Sequence, residues 1–485
     1  RILDRPVTSQ DVENLTRSHK FWLAITFANL KISSKILIIL IFLSATSIGI
    51  FAYFDYQAAK ESLSTESFNK LTAVRELKAR QIEDYFQTLN DLIRTFSQSH
   101  IAKSASNDFI EAFRQIPEPD ESEKNDIEYN LKNYYDNEFL TRLKPITENS
   151  SVQSANDFIS DNQTVRYLQD KFIAKNPQPT GQKHLLDSIG DGSLYDQIHQ
   201  KYHPVFLQYL ETFGFYDIFL IDPEDGHIVY SVFKEVDYAT SLLTGPYRDS
   251  NFAKVFKTAL LNPLSGSTIL VDFEPYKPSY NAPAAFVATP VFGQGKLLSV
   301  AVFQMPIDRI NSIMTSNKGW RDVGLGESGE TYIVGEDFKM RNQSRFLIED
   351  RNNYFKAIRS SSMAAETVSL IENYNSTVGL QKVETKGTIA ALSGQTNTEI
   401  FPDYRNVPVL SAYRPLNIAG VRWALMSEID AAEAFAAIED LKVRILLLLI
   451  ILLLAIIVVS FVFAKTMTRP IKVLTSKAEA LAQGD

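Results

Sequence analysis

His199 and His203 stand four residues apart, the spacing that sets two imidazoles on one helix face and lets them share a zinc ion. No third ligand accompanies them and Pro204 follows at once, so a packed or surface pair is the better reading. Gly326-x-x-Gly329 lacks the Lys-Ser/Thr of a phosphate-binding loop and reads as a turn ahead of a strand. Ser328, inside Glu-Ser-Gly, has no elbow helix after it and no His that the sequence places beside it. Paired carboxylates are plentiful but fall in turns. Cysteine is absent, which removes thiolate metal sites, disulfides and thiol nucleophiles. The sequence thus predicts no catalytic residue, no metal and no cofactor. Binding is the chemistry left to look for.

The elements that would build a binding site are organised around Phe213–Phe233, FGFYDIFLIDPEDGHIVYSVF. Apolar runs at Tyr216–Ile221 and Ile228–Phe233 flank Asp222-Pro223-Glu224-Asp225-Gly226. Pro presets one turn dihedral and Gly supplies the positive one, which predicts a hairpin. A polar loop at Lys234–Phe252 and a helix at Phe252–Leu261 follow. Strands are expected at Thr268–Phe273, Ala285–Phe292 and Lys296–Met305, with Gly293-Gln294-Gly295 turning between the last two, then a helix at Pro306–Asn317. A second unit begins at Gly324–Glu330, with strands Thr331–Val334, Val409–Tyr413 and Val421–Ile429. In the last, Val421, Trp423 and Leu425 alternate with Arg422, Ala424 and Met426, a half-buried pattern.

Two stretches read as membrane spans. Residues 36–54 are uncharged and match the thickness of a bilayer core. A cleaved signal peptide is the competing reading there, which the late start and missing A-x-A site disfavour. Residues 445–464 form a second apolar run rich in Ile, Leu and Val. Basic residues in the 1–35 tail and after Ala464 put both ends in the cytoplasm, although Lys442 and Arg444 run against that rule. Phe21–Leu30 is too short to span and suits an interfacial helix as well as a kink in a tail. Residues 55–212 are expected to be largely helical. There Ile82, Tyr85, Leu89, Leu92 and Phe96 form a seam at coiled-coil spacing, which serves either the chain's own domain or a second subunit. Pro117–Asn130 is acidic and reads as a solvated loop. Ala431–Lys442 reads as a helix running straight into the second span. The 485 residues allow two to four domains, and a formal charge of -8 with no basic stripe disfavours nucleic acid. A start without Met and an end inside a motif suggest a piece of a longer polypeptide.

At this point the residues resemble a known family. FYDIFLIDPEDGHIVYSVFKE, GLGESGETYIVGEDFKMR and DYRNVPVLSAYRPLNIAGVRWALMSEIDAAEA look like the strands and closing segment of double Cache receptors. Asn406 stands where that closing stretch usually carries Gly; Asn tolerates the same left-handed conformation. Thr468-Arg469-Pro470-Ile471, with Leu474, Ala478, Leu481, Ala482, Gly484 and Asp485, resembles the first helix of a HAMP linker, whose Pro would break the helix leaving the membrane. The resemblance implies an α+β fold: two tandem PAS-like antiparallel sheets on a long helix, flanked by two transmembrane helices. The distal unit would be 213–317, the membrane-proximal unit 318–441, and the HAMP start 465–485.

It also implies a dimeric sensor in the plasma membrane, with its ligand-binding part outside the cytoplasm. The output domain would lie beyond this chain: a nucleotide cyclase by preference, with chemotaxis or histidine kinase outputs as alternatives and a non-signalling binding module as a further one. In such folds the pocket lies between the distal sheet and the loop above it. The matching positions are Tyr230, Ser231, Lys234, Glu235, Asp237, Tyr238, Phe273, Tyr276 and Tyr280, with Asp272 beside them. An anionic ligand group, as in an organic acid, would want Lys234; an amino group would want Asp237 or Asp272; the aromatic rings would wall the site. The plainer alternative pairs Lys234 with Asp237 and puts the tyrosines in the core. The Arg…Trp-Tyr cluster of amino-acid-sensing relatives is not matched. Asn149, Asn162, Asn342 and Asn375 open glycosylation sequons that carry no meaning in a bacterial chain.

Overall fold

The computed structural model describes residues 30–143, 154–361 and 363–482. The expected interfacial helix at 21–30 therefore lies outside the described residues but for its last position, as do Asn149, Gly484 and Asp485. The chain divides into two compact units, one holding residues up to Glu66 together with Ala434 onward, the other Ser67–Glu433.

Helix α1 runs Ile32–Gln98, a 67-residue stretch with no Pro and a single Gly. It ends at Ser99, which starts a new helix rather than continuing the old one: its hydroxyl accepts from the Ala102 amide and caps α2, His100–Arg114. Ile82, Leu89 and Phe96 are buried in the chain's own core, with Tyr85 and Leu92 packed against it. The coiled-coil seam is thereby committed within the unit.

Pro117–Asn130 is not a loop throughout. Asp120 accepts from the Glu123 amide and caps α3, Glu121–Tyr134, whose Ile127 and Leu131 are buried. Two of the acidic residues, Glu121 and Glu123, sit in the first turn, where the helix dipole favours them. Short helices α4, Leu140–Leu143, and α5, Gln163–Gln169, precede α6, Leu194–Phe213. Gly214, at φ 74°, closes α6 in the left-handed conformation that only Gly adopts freely.

The first sheet comprises β1 Asp217–Ile221, β2 Ile228–Ser231, β3 Ile269–Tyr276, β4 Ala282–Gly293 and β5 Lys296–Gln304, in the order β2-β1-β5-β4-β3 and antiparallel throughout. Strand alternation sends Ile218, Leu220, Ala301 and Phe303 to the face covered by α1, α2 and α6. Phe219, Phe286, Val300 and Val302 go to the other face, beneath α7, Asn251–Leu261. Helix α8, Ile307–Met314, leads out.

The second sheet holds β6 Glu330–Val334, β7 Asn397–Pro402, β8 Pro408–Pro415 and β9 Ala424–Asp430, in the order β6-β9-β8-β7. The topology repeats that of the first sheet. The place of β2 is held by Met340, which bridges to Val334. Four helices lie on this sheet's connection: α9 Arg345–Glu349, α10 Arg351–Ser360, α11 Ala365–Tyr374 and α12 Lys386–Leu392. Strand β7 is an edge strand with only Ile400 and Phe401 to mark it, and the pattern did not reveal it. Strand β9 starts three residues later than expected and is buried on both faces from Ala424 to Glu428, so the half-buried alternation does not hold. Asn406 takes φ 62°, as its resemblance to a Gly position required.

Beyond β9 the expected single helix is two, α13 Ala431–Ala434 and α14 Ala436–Ala482, interrupted at Phe435. Pro470 lies inside α14 and does not end it, because Pro removes one backbone bond while those around it persist. Helices α1 and α14 are each long and apolar enough to cross a membrane.

Candidate functional site

Ten residues are expected at or beside the ligand. The fold splits them. Tyr230 and Ser231 are neighbours on β2, so their side chains leave opposite faces of the sheet. Tyr230 enters the helix side, where its hydroxyl meets Nδ1 of His203 at 2.8 Å. Tyr238 joins it there and donates to the Tyr195 hydroxyl (2.7 Å), which donates in turn to the Val229 carbonyl (2.6 Å). These tyrosines are core, as the plainer alternative had it.

Lys234 does not pair with Asp237. Its ammonium, 2% exposed with its residue, donates to the Ser231 carbonyl at 2.6 Å and lies 5.0–5.6 Å from the ring centres of Phe172, Tyr230 and Tyr238. Burial pushes its pKa down, and only Asp217 nearby counteracts it. A lysine already enclosed by carbonyls and rings offers little to an anionic ligand. Asp272 is placed elsewhere altogether, on the outer side of β3 against Arg341 and Trp423.

What remains is a group of buried acids on the α7 side of the sheet, each with its own set of hydrogen-bond donors. Asp217, the first residue of β1, accepts from the amides of Val232 (2.9 Å) and Phe233 (3.0 Å) and from the Ser231 hydroxyl (2.8 Å). Glu235 accepts from Tyr216 and from Ser279, each at 3.0 Å, and Ser279 is reached in turn by the Gln304 amide. Asp237 accepts from the Tyr276 hydroxyl through one oxygen and has no partner on the other. Nearby, the Tyr247 hydroxyl and the side-chain oxygens of Asn251 and Gln304 are also buried without partners. Buried polar groups are rarely left so, which makes this side of the sheet a candidate place for a further hydrogen-bonding group. A cavity of about 370 Å³ opens at one end, lined by Tyr216, Phe233, Ser279, Gln304 and Met305 among others.

The electrostatics point one way. Burial pushes Asp237 up to about 6, with the Tyr276 hydroxyl counteracting. Asp217 is pushed up by burial and by the Asp237 charge, and Glu235 by burial and by both. Burial is the largest cause for all three, and the Asp237 charge adds to it at Asp217 and at Glu235. Paired carboxylates therefore do not all fall in turns. The signals available in the sequence were an Asp opening an otherwise apolar strand, Asp217-Ile-Phe-Leu-Ile, and a Gln closing one, Val302-Phe-Gln304.

The other chemistry-bearing residues are structural. His203 donates from Nε2 to the His184 carbonyl, so its Nδ1 accepts from Tyr230 and the ring is neutral. His199 donates from Nδ1 to the Asp187 carbonyl and stacks on His203 at 4.4 Å. Burial, then Lys234, pushes His203 down to about 3. Among the described residues no set of three or more metal-ligating side chains converges. Ser328 donates to Glu433 and accepts from the Asp430 amide. Asn342 is buried, with its side chain bonded to the backbone of Ile333 and Gln343.

No protein-family model matches the chain, and no curated protein sequence is significantly similar to it. Solved structures do resemble it. The ligand-binding domain of the Pseudomonas aeruginosa PAO1 amino acid chemoreceptor PctC, in complex with GABA, is 14% identical over 52% of this chain and 86% of that one, with a TM-score of 0.29. That of the Pseudomonas fluorescens chemoreceptor CtaA, in complex with L-isoleucine, is 12% identical over 65% and 98%, with a TM-score of 0.26. A methyl-accepting chemotaxis protein is 12% identical over 47% and 79%, with a TM-score of 0.29.

Proposed function

We propose that this chain is the sensory part of a membrane receptor, and that residues 213–317 take a small ligand bearing a positively charged nitrogen. The observation that carries the reading is Asp237: a buried carboxylate with one oxygen unpartnered, beside Asp217 and Glu235, where the adjacent Lys234 is already bonded. A bound ammonium would restore the charge balance, and the unpartnered oxygens of Asn251, Tyr247 and Gln304 would accept from it or from polar groups attached to it. Tyr276 and Tyr247, with ring centres 6.4 Å apart, supply aromatic wall.

The receptor reading is supported by the repeated sheet topology, by two helices able to cross a membrane, and by the resemblance of the sequence to double Cache and HAMP segments. In it, 213–317 is the distal unit, 318–441 the proximal unit, and residues 55–441 lie outside the cytoplasm. Helices at 36–54 and 445–464 cross the plasma membrane, and 465–485 open a HAMP linker in a homodimer. Output passes to a domain beyond Asp485, of cyclase, chemotaxis or kinase type. A ligand drives this only through different affinities for two states.

Titration of the full chain in nanodiscs with putrescine, ethanolamine and choline, against succinate and lactate as acids, tests the ligand class. At least one amine is expected to bind, with Asp237→Asn weakening it by about 100-fold or more, the cost of stranding a buried charge. Lys234→Met should leave amine binding within a few-fold. Binding of the acids alone, abolished by Lys234→Met, would overturn the proposal.

A further inference from the structure

Strand β3 slips register against β4 between Val271 and Glu274, and the slip falls on Asp272 and Phe273. A bulge of this kind re-aims side chains out of the ladder. Here it turns both toward the second sheet. Asp272 takes a bidentate grip from Arg341, Nε to Oδ1 at 2.8 Å and Nη2 to Oδ2 at 2.9 Å, and a third bond from Trp423 Nε1 at 2.9 Å. Arg341 is 2% exposed and follows Met340, the rudimentary strand of the second sheet; Trp423 immediately precedes β9. Phe273 stacks on Trp423 at 6.2 Å, and Phe86 of α1 meets the same indole edge-on at 5.3 Å. The fit is close: a Cβ on Gly420 would lie 3.0 Å from the Leu270 carbonyl oxygen.

The same strand reaches the ligand site. Four residues on from Asp272, Tyr276 holds Asp237. The backbone carbonyl of Asp272 accepts from Asn251 Nδ2, the same side chain that leaves its oxygen unpartnered in the site. We infer that Asp272, Arg341 and Trp423 are positioning residues that relay the state of the distal site, through β3, to β9 of the proximal sheet. The inference rests on the site proposed above. A static brace would hold the two sheets together without caring about that site; a relay makes β9 respond to it.

A cycle of variants in the full chain, in nanodiscs, separates these without needing the ligand. Tyr276→Phe removes only the hydroxyl on Asp237. Hydrogen exchange of the β9 amides, Ala424–Asp430, is read with and without Asp272→Asn. For a relay, Tyr276→Phe changes β9 exchange by about 5-fold or more, the low end of measured couplings. With Asp272→Asn present that change falls below about 2-fold, since residues without coupling act additively. Trp423→Phe, which removes the indole N–H and keeps an aromatic ring against Phe86, is the second arm should Asp272→Asn unfold. A change at β9 that persists undiminished in both backgrounds, or none in the parent, overturns the relay. Amine binding by Asp272→Asn, expected within about 3-fold of the parent, reports on the site itself. Failure of every amine to bind the parent would sink the ligand class while the cycle still decides the relay.

Discussion

At the scale of single residues, Asp237 sets the behaviour to expect. A carboxyl raised in the fold keeps its proton after the unfolded chain has lost its own, so it favours the fold at low pH. That advantage disappears as pH rises from about 4 to about 6. His199 and His203, held neutral by burial, run the other way: they support the fold above the ordinary histidine range and withdraw support as pH falls. The difference between parent and Asp237→Asn isolates the first effect. Without ligand, Asp237→Asn should be more stable by roughly 2–3 kcal/mol at pH 7.5 and nearly equal at pH 4, at about 1.4 kcal/mol per pKa unit; denaturant melts at the two pH values check this. Amine affinity of the parent should climb with pH and level off above about 6. A flat profile across that range would remove Asp237 from the site.

At the scale of elements, the turn Gly324–Glu330 shows how a short motif earns its residues. Glu433, within α13, has its carboxylate cradled by the amides of Glu327 (2.8 Å) and Ser328 (2.7 Å) and by the Ser328 hydroxyl. Burial pushes this acid up, yet those bonds hold it below the usual range. Gly329 makes the turn possible: a Cβ there would sit 2.1 Å from the Leu325 carbonyl oxygen. Gly329→Ala is expected to cost about 1–3 kcal/mol and Glu433→Gln about 1.5–3 kcal/mol, both by chemical denaturation. If Gly329→Ala proved neutral, the turn would not be packed as described.

At the scale of the whole molecule, residues from both sheets share one hydrophobic core: Ile218 and Phe303 of the first, Ile333 and Leu425 of the second, and Phe86 of α1. One cooperative unfolding transition for Ser67–Glu433 is the expected calorimetric result. The chain has no cysteine, so single replacements report topology cleanly. Cysteine at Asp249, an exposed position, should react with a membrane-impermeant maleimide on intact cells, and cysteine at Lys465 only after permeabilisation. The reverse pattern would refute the orientation proposed.

The hairpin at Phe213–Phe233, the β3–β5 meander and both long apolar helices were determined by the sequence alone, because turn chemistry and apolar period act over a few residues. The α+β class and the glycine-like position of Asn406 came with the family resemblance rather than from local pattern. Local pattern could not tell which helix face would be claimed by the chain's own core, nor that Asp120 would start a helix inside an acidic run. Nor could it divide the expected site. Tyr230 and Ser231 are adjacent in sequence and face opposite ways across a sheet, and Asp272 is turned outward by a register slip set by its partner strand. Burying Asp217 and Glu235 close enough to Asp237 to feel its charge was decided by tertiary structure, since only packing brings a strand end and a loop into one desolvated interior.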